Sequence, residues 1–393
     1  MKHFDVDDLV TTAKQRTGLA NFGEPDFMDN LAIFMDAVND EQAIAEDRWH
    51  HCREYFIRLL INRLWFAKDL QEHPEILDEE LKPPVIILPL PRTGSTKLHK
   101  MLAASGSFQD VLWWHMHMLS RIPGKDDGGV AERIRATQEF ERWSMDMSPD
   151  MAKGHPLSAM TTEEEQILHE MTFWSVRMSL QCSTSPSYHE WQAQHGAQQA
   201  YEFLFKQLQY IQWQHYPNSN KPFLLKSPSN IGQEENLVRI FGRDIKFIAT
   251  HRDPVNVVCS ISEVMNQYRK IFSTRPTEEI AEYYGFGMTA HLAQMAMDNM
   301  AWRDANPDVQ VLDVGFNDIN NNPAKVLKNI YEFLGMELTP DIQTNIDSWQ
   351  SDKTRNNYQK NSYSLERFCL TKDVVHDAFK PYIERFSDYI ELS

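Results

Sequence analysis

The chain has 393 residues, of which 42% are hydrophobic and 11% aromatic, and its formal net charge at pH 7 is −17. This composition is typical of a globular protein with a sizeable core. The acidic charge argues against a general nucleic-acid surface, which needs a basic face. No stretch reaches the roughly 20 apolar residues that span a bilayer, and the N-terminal residues lack an apolar signal core. We therefore expect a cytoplasmic protein that binds anions only in a local basic pocket.

Apolar runs alternate with helical patterns along the chain. Residues 1–80 have helical spacing and form a predicted N-terminal helical segment. The alternation beyond it predicts an α/β fold with a central, mostly parallel sheet flanked by helices. The predicted strands are the apolar runs "VIILPL" (85–90), "PFLLK" (222–226), "DIKFIATH" (244–251) and "VQVLDVGF" (309–316).

The predicted core spans residues 81–345 and includes a large helical insertion at about 110–220. This insertion is rich in Met, Trp, Gln and His and has no strong strand pattern. We expect it to cover the carboxyl edge of the sheet, where ligands bind in such folds. Residues 346–393 are predicted to complete the same domain as a polar, basic loop followed by one amphipathic helix.

The cysteines and histidines do not predict a metal site. His115 and His117 form an H-x-H pattern, but no third ligand lies near them in the sequence. His169, the other candidate, is distant. The cysteines lie far apart with no CxxC pair, which is poor spacing for zinc or for a disulfide framework and suits a reducing compartment. They are Cys52, Cys182, Cys259 and Cys369.

The segment "PRTGSTK" (91–97) follows the first predicted strand and opens a helical pattern. Backbone N–H groups at a helix start bind anions, and Gly94 would allow close approach of a phosphate. A Walker loop needs two glycines with lysine directly after the second, whereas Lys97 lies three residues after Gly94. The alternative is a plain strand–turn–helix junction in which Thr93 or Ser95 caps the helix.

A second strand–turn–helix unit, "IATHRDPVNVVCSISE", follows at 248–263. Arg252 leaves the strand, and Ser260 lies eight residues later, about two helical turns along. The two side chains are therefore predicted to converge on one phosphate. The alternative is a structural ion pair between Arg252 and Asp253 in the turn.

Three motifs occur in a recognisable order: "LPLPRTGSTKLHKML", "LLKSPSN" and "ATHRDPVNVVCS". Together they resemble the bacterial branch of the sulfotransferases that use 3'-phosphoadenosine-5'-phosphosulfate (PAPS). The ending "SYSLERFCLTKDVVHDAFKPYIERF" is also similar to that branch, so the resemblance covers about residues 80–385. It implies a P-loop-like fold, PAPS as co-substrate and no metal.

The resemblance also implies roles for individual residues. The loop after the first strand would hold the 5'-phosphosulfate, and Arg92, which stands where other members carry lysine, would stabilise charge electrostatically. Arg252 and Ser260 match the pair that binds the 3'-phosphate, and Lys226 would reach the transferring sulfuryl group. The predicted donor-binding residues are Arg92, Thr93, Gly94, Ser95, Thr96, Arg252 and Ser260.

The general base is less evident. Members of the branch often have a histidine four residues after this lysine, and here that position is Asn230. The segment "KGHPLSAMTTEEEQILHEM" resembles an H-P…EE segment of the family and offers His155 and Glu165 as candidate bases. A capping box formed by Thr161 or Thr162 with the acidic residues is the structural alternative.

The sequence thus predicts a sulfotransferase that transfers a sulfuryl group from PAPS to a hydroxyl of a small-molecule acceptor. One alternative is a P-loop-type kinase or NTPase, disfavoured because only Asp313 is a candidate acidic metal ligand. Another is a non-catalytic nucleotide-binding relative, which the missing histidine at Asn230 leaves open. Neither a nucleic-acid partner nor a membrane span is predicted, and no motif indicates the acceptor or an oligomeric state.

Overall fold

A parallel sheet forms the centre of the protein in a computed structural model. The structure describes residues 3–41, 44–150, 158–175, 177–178, 186–273, 276–352 and 364–393. Within these residues the sheet has five strands in the order β2-β3-β1-β4-β5, and every neighbouring pair is parallel. The strands are β1 (Val85–Pro89), β2 (Gln109–Asp110), β3 (Phe223–Lys226), β4 (Lys246–His251) and β5 (Gln310–Gly315).

The four strands predicted from apolar runs are confirmed. Each is part of the sheet because continuous apolar runs suit strands that are covered on both faces. β2 was not predicted, since two residues are too few to give a periodic pattern. In register, Ile87 of β1 lies between Lys226 of β3 and Ile248 of β4.

Helices cover the sheet on both sides, as predicted. Those before β1 are α1 (Val6–Thr17), α2 (Met28–Glu41) and α3 (Trp49–Glu72). Those between β1 and β3 are α4 (Ser95–Ala104), α5 (Trp113–His117), α6 (Val130–Met147), α7 (Pro186–His195) and α8 (Gln198–His215). Those between β3 and β5 are α9 (Glu234–Phe241), α10 (Pro254–Arg269) and α11 (Met288–Ala305). The remainder are α12 (Phe316–Asn321), α13 (Pro323–Leu334), α14 (Pro340–Ser351), α15 (Lys372–Ala378) and α16 (Lys380–Arg385).

Short helical turns of other types join these elements. A π-helical turn leads directly into α11. The 3₁₀ turns are Pro74–Asp78, Glu165–Thr172, Pro228–Asn230, Thr277–Glu279 and Glu366–Phe368, and the π-helical turn is Tyr283–Gly287.

The two faces of the sheet are buried in separate apolar clusters because successive strand side chains point in opposite directions. Val85 and Ile87 pack with residues of α4, α13 and α14. Ile86 and Leu88 pack with the N-terminal helices, the helices of the predicted insertion and α10 and α11. The second cluster is the larger of the two. It includes residues of the helices of the insertion, which lie beside the carboxyl ends of the strands.

The C-terminal region differs from its prediction. The structure has two short helices, α15 and α16, where the sequence predicted one amphipathic helix. Pro381 lies in the first turn of α16 and has no N–H to donate into a preceding turn, so the first helix ends at Ala378. Residues 346–351 belong to α14, and 353–363 of the predicted basic loop lie outside the described residues.

The division into an N-terminal segment, a core and a C-terminal completion remains a proposal. Among the helices that the structure describes, none is both long and apolar enough to cross a bilayer.

Candidate active site

Two loops meet at the carboxyl end of the sheet. Pro89 of β1 pairs with Thr250 of β4, so the residues that follow these strands are neighbours. Arg252 Nη1 donates a hydrogen bond to the Arg92 carbonyl over 2.9 Å, and Arg92 Nε donates one to Ser260 Oγ over 3.0 Å. The structure thus connects three of the seven predicted donor-binding residues directly.

The loop after β1 is tightly turned. Arg92 and Gly94 have φ angles of 65° and 83°, in the left-handed region that favours glycine. A Cβ at Gly94 would lie 3.1 Å from the Phe316 ring. The Arg252 guanidinium lies 4.0 Å from the centroid of the same ring, within cation–π distance. Phe316, the first residue of α12, therefore supports both loops.

The loop leads into the N-terminus of α4, where backbone donors are available. The first intrahelical bond runs from the Leu98 N–H to the Gly94 carbonyl over 3.1 Å. The preceding N–H groups have no carbonyl inside the helix, and no side-chain cap occurs at this end among the described residues. Lys97 instead reaches Asn320 Oδ1 over 3.2 Å. Such a helix start binds anions.

Thr93 contacts the sheet rather than the cavity. Its hydroxyl donates to the Leu90 carbonyl over 2.7 Å and lies 2.5 Å from the Thr250 hydroxyl. The side chain is fully buried, so it holds the loop against β4. Of its groups, only the backbone remains available for the predicted contact with a ligand.

Lys226 ends β3 with an ion pair at the same edge. Its side chain is 1% exposed, and its ammonium lies 2.5 Å from Glu164 Oε1. A buried ammonium is unfavourable without such a partner. Glu164 lines the cavity and is partly exposed to it. Lys226 itself does not line the cavity, so the pair presents the Glu164 carboxylate beside the loop and keeps the ammonium behind it.

Glu165, predicted as a candidate base, lies behind this pair. Its carboxylate accepts hydrogen bonds from the Lys226 backbone N–H over 2.8 Å and from Asn230 Nδ2 over 2.6 Å. Tyr201 donates to Asn230 Oδ1 over 2.9 Å, which fixes the amide. Burial raises the pKa of Glu165, and the residue does not line the cavity. His155, the other candidate, lies outside the described residues.

Asn230 therefore has a structural explanation. Where the related motif often carries histidine, this chain has an amide that connects the 3₁₀ turn after β3 to Glu165. Both polar ends of the Asn230 side chain are bonded and buried.

A cavity of about 1750 Å³ extends from these loops into the helical region. Pockets for single small ligands are roughly 300–1,000 Å³, so this cavity has room for two molecules. We call the part formed by residues 91–97, Arg252 and Ser260 the sheet end. We call the part formed by the sides of α7, α10 and α11 the helical end; its lining includes Gln192, Val264, Met265, Met288, Leu292 and Met295.

Two further residues line the cavity between these ends and were not predicted. Tyr268 lies eight residues after Ser260, on the same face of α10, and this periodicity is a signal that could have identified it. Arg177 forms an ion pair with the buried carboxylate of Glu170. No motif surrounds Arg177 in the sequence, and only the fold brings it to the cavity.

Asp313 is the acidic residue that a kinase or NTPase would need as a metal ligand, but its carboxylate has other partners. Its carboxylate lies 2.7 Å from His251 Nε2 and accepts two bonds from Arg303, at 2.9 and 2.7 Å. Burial opposes ionisation, but the bonds to His251 and Arg303 hold the pKa of Asp313 at about 2. The group supports the end of β4 and does not line the cavity.

Comparison with known families agrees with this geometry. The model of the Sulfotransferase family matches residues 83–340, which is more than half of the chain. The chain belongs to the sulfotransferase family. The family relationship that the order of the three motifs predicted is thereby confirmed. A kinase or NTPase is no longer needed to explain the loop after β1.

Solved sulfotransferases have the same fold. The crystal structure of sulfotransferase STF9 from Mycobacterium avium aligns with a TM-score of 0.85 at 22% identity and covers 100% of this chain and 99% of that one. Sulfotransferase STF1 from Mycobacterium tuberculosis H37Rv aligns with a TM-score of 0.77 at 22% identity, covering 96% and 99%. No curated protein sequence matches the chain significantly.

The side chains of the described residues form no metal-binding cluster. In the part of the chain that the structure describes, no group of three or more His, Cys, Asp or Glu side chains is arranged to hold a metal ion. The predicted absence of a metal remains a prediction.

Proposed function

We propose that this sulfotransferase transfers a sulfuryl group from PAPS to a hydroxyl group of a small-molecule acceptor. The observation that carries the proposal is the contact of Arg92 with Ser260 and of Arg252 with Arg92, beside the N-terminus of α4. This arrangement offers two anion sites next to each other, one made of backbone and one of side chains. PAPS carries its two phosphate groups on one ribose and fits such a pair.

The helix start supports binding of the 5'-phosphosulfate. The N–H groups of residues 95–97 and the hydroxyls of Ser95 and Thr96 are donors at a site that the helix dipole makes favourable for negative charge. Gly94 gives the loop its left-handed turn into α4 and lets it pack closely against Phe316, where a Cβ would be crowded. Lys97 is expected to contribute little, because its ammonium contacts Asn320.

Arg252 and Ser260 support binding of the 3'-phosphate. Arg252 is held in place by the Arg92 carbonyl and by the Phe316 ring, so its remaining N–H groups are pre-oriented. Ser260 Oγ accepts the bond from Arg92, which leaves its proton available to donate to a phosphate oxygen. This second anion site would distinguish PAPS from ATP without magnesium.

The transfer itself would use the groups between the two ends of the cavity. The acceptor oxygen forms a bond to sulfur while the bond from sulfur to the bridging phosphate oxygen breaks. The charge that develops on the bridging oxygen is offset by Arg92 and Lys226. Arginine does not readily donate its proton, so Arg92 acts as a charge and not as an acid.

We assign the role of base to Glu164. It faces the cavity, and its bond to Lys226 keeps the carboxylate next to the ammonium that would contact the sulfuryl group. The proton of the acceptor hydroxyl passes to this carboxylate, and 3',5'-diphosphoadenosine (PAP) leaves. Glu165 remains a predicted base; its contacts support a positioning role, in which it holds the backbone of Lys226 and the side chain of Asn230.

The test is an assay of sulfuryl transfer from labelled PAPS to a panel of alcohols and phenols, with binding of PAP measured in parallel. Wild-type protein should form a labelled sulfate ester. Arg92→Ala should lose most of the transfer and retain part of the PAP binding, whereas Lys97→Ala, in the same loop, should change neither greatly. If wild-type protein binds neither PAPS nor PAP, or if Lys97→Ala has the larger effect, the proposal is wrong.

A further inference from the structure

The two ends of the cavity have different chemistry, and the helical end indicates what the acceptor is. The sheet end has arginine, hydroxyl and backbone donors, which account for the donor nucleotide. The helical end is lined mainly by methionine and aliphatic side chains, with the polar side chains of His189, Gln192 and His291 among them. Together the two ends exceed the volume that one ligand needs, so the helical end is available to a second molecule.

Helix α10 connects the two ends and shows where the lining changes. Ser260, at the sheet end, is followed on the same side by Val264 and Tyr268. At 1.5 Å per residue these lie about 6 and 12 Å further along the helix. Ile261 and Met265 also line the cavity. The wall therefore becomes apolar within about one turn of the predicted phosphate site.

Helix α11 supplies the opposite apolar wall. Met288, Leu292 and Met295 recur at helical spacing and all line the cavity. His291, between them, also lines the cavity and is exposed, so the space opens to solvent beside it. Methionine side chains are flexible and fit irregular apolar ligands well.

Among the described lining residues, the walls formed by α7 and α11 carry no carboxylate, lysine or arginine, and their titratable side chains are His189 and His291. His189 of α7 is the nearest candidate, but burial and the neighbouring His291 lower its pKa to about 4. A charged ligand body would therefore find no partner along these walls. Of the charged side chains between the two ends, Glu164 and Arg177 are already paired with Lys226 and Glu170, and Glu163 is buried.

Two polar groups on α7 have no partner in the described part of the chain. Both the oxygen and the nitrogen of the Gln192 side-chain amide are buried without a hydrogen bond, and so is His189 Nε2. Gln192 is 6% exposed, and both residues line the cavity three positions apart. Buried polar groups are usually bonded, so these point to a ligand that has an uncharged polar group along its body.

We infer that the acceptor is an uncharged amphiphilic alcohol whose hydroxyl lies at Glu164, beside the ion pair of that residue with Lys226, and whose apolar body lies between α10 and α11. An uncharged polar group on that body would bond to Gln192 and His189. A sugar would leave its many hydroxyl groups without partners against the methionine face. This inference rests on the proposed function, because it assumes that the sheet end binds the donor.

The test is the dependence of kcat/KM on chain length for primary alcohols from butanol to octanol, at saturating PAPS. Each added methylene should raise kcat/KM by about fourfold, as expected for its transfer from water into an apolar channel. Methyl glucoside should be a poor acceptor. If kcat/KM is independent of length, or if methyl glucoside is the better acceptor, the inference is wrong.

A matched pair of variants on α11 locates the effect. Met295 lines the cavity, whereas Met297, also half-buried on the same helix, does not. Met295→Asp should lower kcat/KM for octanol by at least about tenfold and that for butanol much less, because a charge would lie against the chain. Met297→Asp should leave both values near wild type. Equal effects of the two variants, or of one variant on the two alcohols, would contradict the inference.

Gln192→Leu tests the polar contact separately. It removes two unpartnered polar atoms, so kcat/KM for octanol should stay the same or rise, and a fall would contradict the assignment of Gln192 to the ligand body. Titration of every variant with PAP distinguishes failure of the proposed function from failure of the inference about the acceptor. Loss of PAP binding by the wild type would refute the proposed function itself, whereas intact PAP binding without the length dependence refutes only the inference.

Discussion

The sheet end of the cavity is assembled from strand ends and helix starts, whereas the helical end is assembled from the sides of helices. At the sheet end, Arg252 directly follows β4 and Arg92 lies three residues after β1, and these neighbouring strands bring the two residues into contact. At the helical end, residues from α7, α10 and α11 come from distant parts of the chain and share only an apolar face. The residues proposed to bind the donor can thus be recognised in short sequence motifs. The residues that bind a particular acceptor can come from distant parts of the chain.

Lys226→Ala tests the junction of the two ends and should have the largest effect. The variant removes the ammonium that we propose to act on the sulfuryl group and leaves Glu164 without this partner. We expect kcat to fall by about 10²–10³, the usual loss for a group that stabilises developing charge. Lys221→Ala, at an exposed lysine just before β3, is the control and should retain wild-type kcat. Near-normal turnover of Lys226→Ala in the PAPS assay would remove this residue from the mechanism.

Glu164→Gln and Glu165→Gln distinguish the carboxylate in the cavity from the one behind it. Glu164→Gln should lower kcat by about 10²-fold, because general base catalysis contributes at least that much. Glu165→Gln should lower kcat much less, since its carboxylate is bonded to Asn230 and to the Lys226 backbone and does not line the cavity. The reverse pattern would make Glu165 the base, as predicted from the sequence.

Asp313→Asn affects the support of the sheet end and should have the smallest effect on turnover. The pKa of Asp313 is held at about 2, below the ordinary value of 3.8, so its ionised form stabilises the fold at pH above about 4. This stabilisation, of about 2 kcal/mol, is lost as the pH falls through about 2. The variant should be less stable at neutral pH and should lose less stability on acidification, as measured by urea unfolding at several pH values.

The control for this prediction is Asp308→Asn, at an exposed carboxylate that pairs with Arg243 on the surface. Exposed ion pairs contribute little, so its unfolding should resemble that of the wild type. Equal pH dependence of the wild type and Asp313→Asn would show that the network around His251 does not stabilise the fold.

The sequence predicted the strands because continuous apolar runs identified β1, β3, β4 and β5. The two strand–turn–helix motifs also singled out Arg92, Arg252 and Ser260, which the structure connects through Arg92, and their role in binding the donor stays a prediction. The orientation of Thr93 toward β4 was not predictable, since it depends on the neighbouring Thr250. The same is true of Glu165, which differs from Glu164 only in the direction in which a 3₁₀ turn presents it.

The helical end was not predicted because helix periodicity gives an apolar face without saying what covers it. The methionines of α11 would have the same spacing if they packed in the core. Only the packing of α7 and α10 around them leaves a cavity there. Arg177 likewise carries no sequence signal, because its partner Glu170 is recognisable only as a buried residue of the folded protein.

The central claim is that Arg252 and Ser260 bind the 3'-phosphate of the donor. A calorimetric comparison of PAP with adenosine 5'-monophosphate (AMP), in the presence of EDTA, tests it most directly. AMP lacks only the 3'-phosphate that Arg252 would bind with a charge-assisted hydrogen bond. We expect PAP to bind without a divalent metal and AMP to bind at least about tenfold more weakly, and we expect Arg252→Ala to remove most of that difference. Equal affinities for the two nucleotides, or binding that requires Mg²⁺, would contradict the account.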